Sequence, residues 1–389
     1  MAHRNALRTI LAALALVLAA LGCAPGGFGA GPSEEIARLD PSLAPAYLVA
    51  EAAQPRATLF DRSGGVLAVF RMLPWDVPLE GRAGPVGPVG VPPASTALAF
   101  FETASEGVFL TRWRAGEAQR VMALGRPAYL LPCTHAPCLV FSETPTGRGG
   151  QGALHRLVLV DLSDPAAAQV QVLVEQAARS PGEVLLPMAI RMEGRRAAEV
   201  FYCEAARSDA RTLPPPCQGL HSVDTARGEV AVRIEPEAVA LGISADAGLV
   251  ALVRAGEAPP QVELRALDSG ARVIYGPQAG AQQVGPARFS PLGTRVAWSA
   301  WAIDAQGAAS FEVVLACSCG GATVRVSGAQ VGEALGGAVD DLRPAGWLDE
   351  QQLLLQAVVD GEAAVLRVRD DGSGLRRVTP GVLLGFVWP

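Results

Sequence analysis

Six cysteines in the body of the sequence fall in three close pairs, and thiols spaced in this way are suited to forming disulfides. The pairs are Cys133 with Cys138, Cys203 with Cys217, and Cys317 with Cys319. An even number of paired cysteines favours bridges over free thiols in an exported chain. The first pair fits a loop between two strands, and the second would close the base of a long hairpin. The third is least favoured, because so tight a ring is often strained.

Metal binding is the alternative chemistry for the first pair, because His135 lies between its two cysteines. A zinc site needs three or four converging ligands, and neither His155 nor His221 is spaced to complete one. A calcium loop is suggested by Asp370-Asp-Gly-Ser-Gly374, but the remaining ligands of such a loop are missing. We therefore expect no metal site, and we interpret the last segment as a turn between strands.

Catalytic motifs are missing from the sequence. It contains no Gly-x-Ser-x-Gly elbow, no phosphate-binding loop and no dinucleotide fingerprint after a strand, so no catalytic or cofactor-binding residue is expected. The acid pairs Glu34-Glu35 and Asp340-Asp341 are interpreted as solvated. Three tryptophans fit a core position between sheets: Trp298, Trp347 and Trp388. Three others are better candidates for exposed contacts: Trp75, Trp113 and Trp301.

The composition excludes two classes of protein. Charged residues make up 18% of the 389 residues and the net charge is −6, which does not fit a disordered acidic chain or a nucleic-acid binder. All 32 basic residues are arginine. Half of the residues are apolar, so a chain of this length can bury a large core.

The N-terminus has the three parts of an export signal: a basic start, an apolar run over residues 9–21, and small residues before a cysteine. The apolar run is too short to span a bilayer comfortably as a helix. Ala20-Leu21-Gly22-Cys23 resembles the bacterial lipobox, in which the cysteine is acylated and becomes the mature N-terminus. The resemblance implies a lipid anchor on Cys23. Plain cleavage and an uncleaved anchor remain the alternatives.

The second half of the chain repeats one pattern, an apolar residue followed by a turn and an apolar strand. The pattern recurs around Ser244, Ser290 and Leu348, which lie 46 and 58 residues apart. A four-stranded propeller blade typically takes about 40–50 residues. One such blade cannot bury both of its faces, so the repeats must stack around a ring.

The middle repeat carries a family resemblance. Phe289-Ser-Pro-Leu-Gly-Thr-Arg-Val-Ala-Trp298 resembles the repeat of TolB-type propellers, and the segment from Val365 to Gly381 looks like the second half of that repeat. The chain departs from the family at Leu292, where an Asp usually braces the turn. The resemblance covers about residues 240–381, and it implies an architecture more than an activity.

These observations predict an all-β chain in three parts: a signal peptide over residues 1–22, a flexible tether over 23–45, and a single β-propeller over 46–389. We expect seven blades, with six or eight as alternatives. One blade would combine N-terminal strands with the apolar C-terminal segment Val382-Leu-Leu-Gly-Phe-Val-Trp388, which removes a free sheet edge.

The expected function follows from a tether, a ring of repeats and the lack of a catalytic set. We predict a noncatalytic binding or scaffolding module, anchored through Cys23 on the extracytoplasmic side of a bacterial membrane. Its partner would be another envelope protein or a glycan. The alternative is a glycan-active hydrolase or lyase with acidic residues at the channel mouth, since such carboxylates come from different blades. A transporter's substrate-binding lipoprotein would require more helix than the sequence predicts.

Overall fold

The computed structural model describes residues 45–50, 56–71, 89–90, 98–104, 107–114, 117–133, 136–144, 154–164, 168–177, 183–206, 217–254, 259–276 and 280–386. Cys23, the signal peptide and nearly all of the tether lie outside these residues. Within the described ranges the chain forms 27 strands and one helix. That helix is only eight residues long, and none in this part of the chain has the length and apolarity to cross a bilayer.

The strands of the first half are β1 (Pro45–Ala50), β2 (Arg56–Asp61), β3 (Val66–Arg71), β4 (Val89–Gly90), β5 (Leu98–Ala104), β6 (Gly107–Arg114), β7 (Glu117–Leu124), β8 (Arg126–Pro132), β9 (Cys138–Thr144), β10 (Leu154–Asp161), β11 (Gln169–Ala177), β12 (Glu183–Glu193) and β13 (Arg196–Ala206). The elements of the second half are β14 (Cys217–Asp224), β15 (Val230–Ile243), β16 (Leu249–Arg254), β17 (Val262–Ala266), β18 (Arg272–Tyr275), β19 (Gln283–Phe289), β20 (Arg295–Ile303), β21 (Ala309–Cys317), β22 (Val324–Ser327), helix α1 (Gly328–Leu335), β23 (Val339–Trp347), β24 (Gln352–Val359), β25 (Glu362–Arg369), β26 (Arg376–Pro380) and β27 (Val382–Phe386).

Consecutive strands pair antiparallel, and the described strands form six sheets. Four sheets hold four strands in sequence order: β4–β7, β8–β11, β19–β22 and β23–β26. A fifth has the order β27-β1-β2-β3, and the sixth joins β12 to β18. The sixth is large because β15, with 14 residues, pairs with β14 over most of its length and with β16 through its second half. Two successive four-stranded repeats therefore share one long strand.

The core lies between neighbouring sheets rather than within any one of them. One cluster joins Val313 and Leu315 of β21 to Leu353 and Leu355 of β24, with Trp347 among them. This layering follows from the sequence, because a strand such as β24, Gln-Leu-Leu-Leu-Gln-Ala-Val-Val, is apolar on both faces. Each sheet thus needs a neighbour on either side.

The terminal strands pair with each other. Strand β27 lies antiparallel to β1, with Tyr47 opposite Phe386 and Ala50 opposite Val382. The side chain of Gln356 fixes the start of β27, since its Oε1 accepts a hydrogen bond from the Leu383 backbone at 2.9 Å and its Nε2 donates to the Gly381 carbonyl at 3.1 Å. This is the pairing that the apolar C-terminal segment predicts.

One strand of each four-stranded repeat contacts the corresponding strand of the next repeat, in series. Strand β27 contacts β4, β4 contacts β8, and β8 contacts β12. The series continues from β12 to β15, from β15 to β19, and from β19 to β23. Gly346 of β23 lies against the ring of Phe386 in β27, so closely that a Cβ added there would come within 2.4 Å of the ring. We call β4, β8, β12, the second half of β15, β19, β23 and β27 the inner strands.

The turn after β19 is braced by a carboxylate from the next sheet. In the preceding repeat, Asp246 accepts hydrogen bonds from Ser244 Oγ at 2.5 Å and from the Gly248 backbone at 3.0 Å. The turn after β19 has Leu292 instead of an Asp, and Glu350 accepts from Ser290 Oγ at 2.6 Å and from the Leu292 backbone at 2.7 Å. The departure from the TolB-type repeat is therefore compensated across a sheet interface.

Helix α1 is an element that the strand pattern did not predict. It follows β22 and begins with a capping box, in which the side chains of Ser327 and Gln330 each bond the other's backbone N–H. It ends at Gly336, whose φ of 81° lies in the left-handed region. The sequence signal that could have predicted this helix was its Ser-x-x-Gln pattern before an apolar residue, which is typical of a helix N-terminus.

All three cysteine pairs are bonded in the structure. Cys133 joins Cys138, Cys203 joins Cys217, and Cys317 joins Cys319, with Cα separations of 5.3, 5.6 and 5.2 Å. The second bond connects neighbouring strands β13 and β14. The third pair, which the sequence favoured least, is bonded as well.

Candidate functional site

Charged side chains lie on the neighbouring inner strands β19 and β23. Leu342 is buried in the core between the two sheets, so strand alternation directs Asp341 and Arg343 to the other face of β23, away from β19. On β19, Ala287 is buried in the opposite core layer, which leaves Arg288 directed towards β23. We call Arg288, Asp341 and Arg343 the inner-strand charge cluster.

Arg288 is an exposed residue whose backbone is tied to the neighbouring inner strand. Its carbonyl accepts a hydrogen bond from Trp347 Nε1 at 2.8 Å, which ties β19 to β23. The side chain keeps solvent-accessible surface, yet desolvation lowers the pKa of its guanidinium, and the positive charge of Arg343 lowers it further.

Asp341 is a buried carboxylate beside one of these cations. Its side chain is 4% exposed, and its Oδ2 lies 3.8 Å from Nε of Arg343. Burial raises the pKa of Asp341 to about 6, although the charge of Arg343 and a backbone hydrogen bond from Leu342 oppose the shift. Oδ2 accepts no hydrogen bond from the part of the chain that the structure describes. Buried carboxyl groups of this kind concentrate at functional sites.

The cluster can bind a ligand carboxylate or another small anion. Arg343 lies beside the Asp341 carboxylate, whose own charge is weakened by burial, and Arg288 is close enough for the charge of Arg343 to act on it, so the local balance is positive. An arginine fork matches the geometry of a carboxylate, and the partly desolvated surroundings strengthen the attraction. The described residues include no group of three or more His, Cys, Asp or Glu side chains that could hold a metal ion.

Replacing Asp341 with Asn should change how stability depends on pH. The folded-state pKa, about 6, lies above the usual value of 3.8, so the protonated carboxyl stabilises the fold at low pH. That contribution is lost as pH rises from about 4 through about 6. We expect the unfolding free energy of wild type to fall by up to about 3 kcal/mol over this range relative to D341N.

Urea denaturation of both proteins at several pH values measures this difference. The matched control is Asp340→Asn, because the neighbouring Asp340 side chain is exposed. Parallel stability curves for wild type and D341N would show that Asp341 does not titrate abnormally.

The sequence reading of Asp340-Asp341 as a solvated pair is correct for only one residue. Asp340 is exposed and accepts a hydrogen bond from the Gly361 backbone at 2.7 Å, whereas Asp341 is buried. The sequence reasoning missed the whole inner-strand charge cluster. The available signal was that Asp341 and Arg343 lie two positions apart in a predicted strand segment, since a strand places such residues on one face.

The other sequence candidates do not join this cluster. The bonded cysteines lie away from β19 and β23; the nearest in the fold are Cys317, which ends β21 of the β19–β22 sheet, and Cys319 in the turn after it. His155 is buried and pairs with Thr144 Oγ1 at 3.1 Å, and Asp371 accepts the Ser373 backbone N–H within a turn between strands. Cys23 and His135 lie outside the described residues.

The tryptophans divide as follows. Trp298 and Trp347 are buried in the core, as the sequence predicts, and Trp301 is partly buried beside Gly285. Trp75 and Trp388 lie outside the described residues, as does the side chain of Trp113.

The sheets and their inner strands define a nearly all-β protein of the β-propeller class with charged groups on two inner strands. Among solved structures, the chain is similar to an oligogalacturonate lyase in complex with manganese, with 14% identity, a TM-score of 0.51, and 80% of this chain and 81% of that chain covered. This likeness supports the propeller fold and is too distant to transfer an activity.

Two TolB structures are also similar to the chain. TolB from Acinetobacter baumannii is 12% identical with a TM-score of 0.44, covering 87% of this chain and 81% of that one. A putative TolB from Agrobacterium tumefaciens is 11% identical with a TM-score of 0.41, covering 87% of this chain and 90% of that one. TolB structures are thus among those to which the chain is similar, as the resemblance of its repeats predicts. No protein-family model and no curated protein matches the chain in sequence.

Proposed function

We propose that the protein is a noncatalytic binding module, anchored by a lipid on Cys23 to the extracytoplasmic side of a bacterial membrane. Its ring would consist of seven blades. The count follows if the sheet from β12 to β18 is divided at β15, because each part then has four strands like the other sheets. The pairing of β27 with β1 and the contact of Gly346 with Phe386 support a closed ring.

The ligand would carry carboxylate groups and enter the channel between the inner strands. The observation that carries this proposal is the position of Arg288 beside Arg343, on neighbouring inner strands, with the buried Asp341 as the only carboxylate within the defined cluster. Propellers commonly bind where the loops converge at the channel mouth. An acidic glycan or an acidic segment of another envelope protein would supply the complementary charge.

Arg288→Gln is the variant that tests this function. We expect the mature protein to bind polygalacturonate or poly-glutamate and not neutral dextran, and R288Q to bind at least tenfold more weakly. Biolayer interferometry at two salt concentrations measures both effects, since a charge-based interaction weakens as salt rises.

Arg272→Gln is the matched control, because Arg272 is an exposed arginine on the edge strand β18. It should bind within twofold of wild type. Equal binding by R288Q, or no binding to either acidic polymer, would refute the channel as the recognition site.

A glycan-active enzyme is the second candidate, and the raised pKa of Asp341 favours it. A carboxyl group with a pKa of about 6 can exchange protons near neutral pH, as a general acid or base must. Release of new chain ends from polygalacturonate by wild type, abolished in D341N, would support the enzyme. Binding without turnover in both proteins would support the binding module.

A further inference from the structure

A second cationic site lies away from the inner strands, in a cavity of about 330 Å³ on the outer part of the β23–β26 sheet. Its lining includes three arginines, Arg367, Arg369 and Arg376, together with Gln352 and Ser373. Arg367 and Arg369 lie two positions apart on β25, so alternation directs both to the same face of the sheet. Arg376 lies directly opposite Arg367 on the neighbouring strand β26.

The opposed pair of arginines is a destabilising arrangement that the fold maintains. Like charges directly across two strands repel each other. Here the two guanidinium groups are held by backbone carbonyls of the turn between β2 and β3. Arg367 Nη1 donates to the carbonyls of Arg62 and Ser63 at 2.9 Å each, and Arg376 Nη2 donates to the Ser63 carbonyl at 3.2 Å. Neutral carbonyls orient the cations without cancelling their charge.

None of these three arginines forms an ion pair with a carboxylate among the residues that the structure describes. By contrast, nearby arginines are paired: Arg295 with Asp370 at 3.0 Å, and Arg325 with Glu312 at 2.9 Å. Asp370, the acid next to Arg369, is thus engaged by Arg295, and the following Asp371 accepts hydrogen bonds from Ser373, with the charge of Arg369 contributing to lowering its pKa. The cavity therefore keeps a positive excess.

We infer that this cavity binds a phosphate group, as a phosphate monoester or diester. Arginine forks match phosphate oxygens, and three of them supply donors around a single anion. The volume lies at the lower end of the range for small-molecule sites, so the cavity fits the phosphate and a small substituent. A soluble phosphate ester and the headgroup of an anionic lipid both present this chemistry.

Arg369→Gln tests the site without disturbing the carbonyl contacts, because those contacts come from the other two arginines. We expect the mature protein to bind inorganic phosphate in calorimetry, or vesicles containing phosphatidylglycerol in a flotation assay. R369Q should weaken either interaction at least tenfold. Arg377→Gln is the matched control, because Arg377 is exposed and does not line the cavity. Its affinity for phosphate or vesicles should stay within twofold of wild type.

The two probes separate the possible sources of the phosphate. If the protein binds inorganic phosphate in solution and R369Q weakens that binding, the source is a soluble ester. If the protein binds only the anionic vesicles, not phosphatidylcholine vesicles, and R369Q abolishes that binding, the source is a lipid headgroup. Failure of both probes, or binding that R369Q leaves unchanged while the variant melts like wild type, would overturn the inference.

Discussion

Removing residues 382–389 should abolish the soluble, cooperatively folded protein. The deletion removes β27, whose backbone pairs with β1, and exposes the edge of a sheet whose Tyr47 and Val49 are buried. It also leaves the amide of Gln356 without its contact to Leu383. We expect the free energy of unfolding to fall by more than about 5 kcal/mol, which is as large as the most damaging point mutations. We also expect aggregation through the free edge.

Thermal unfolding and size-exclusion chromatography of the mature protein measure this loss. Supplying residues 382–389 as a separate peptide is the matched control, since it restores the pairing without the chain connection and should recover part of the soluble fraction. A truncated monomer that melts at the wild-type temperature would show that β27 does not hold the sheets together.

Gln356→Leu should lower the free energy of unfolding by about 3 kcal/mol or more, although it replaces a polar residue in the core with an apolar one of similar size. The Gln356 amide donates to the Ala364 carbonyl at 3.0 Å and to the Gly381 carbonyl at 3.1 Å, and it accepts from the Leu383 backbone. Leucine leaves these three backbone groups buried and unpaired, and each such group costs about 1–3 kcal/mol.

Chemical denaturation of the variant tests this account of Gln356. Gln351→Leu is the control, because its side chain is exposed in the turn before β24 and should change stability by less than about 0.5 kcal/mol. Equal stability of Q356L and wild type would mean that the amide does not anchor the C-terminal strand.

The repeat architecture could be predicted from the sequence because it depends on local patterns. Apolar runs separated by Asp, Gly and Pro turns predicted strands, and the spacing of Ser244 and Ser290 predicted the four-stranded unit. The apolar segment after Gly381 had no partner of its own, which indicated its pairing with the N-terminal strands. These signals survive in the structure because strand pairing is antiparallel and mostly sequential.

The inner-strand charge cluster and the brace at Glu350 could not be predicted in the same way. Arg288 and Arg343 are separated in sequence and meet only because β19 and β23 are neighbouring inner strands. Glu350 reaches the turn at Ser290 from another sheet, and nothing in the local pattern shows that a distant carboxylate replaces the missing Asp. Such contacts depend on how sheets stack, which a repeat pattern does not specify.

Affinity capture from crosslinked native membranes, comparing wild type with R288Q, tests whether the protein is a membrane-anchored module that binds through its inner strands. Mass spectrometry would identify the captured material and the N-terminus of the protein itself. We expect a lipid on Cys23 and an acidic envelope protein or glycan that is captured by wild type and depleted with R288Q. An unlipidated N-terminus, or identical capture by both proteins, would contradict a membrane-anchored module that binds through its inner strands.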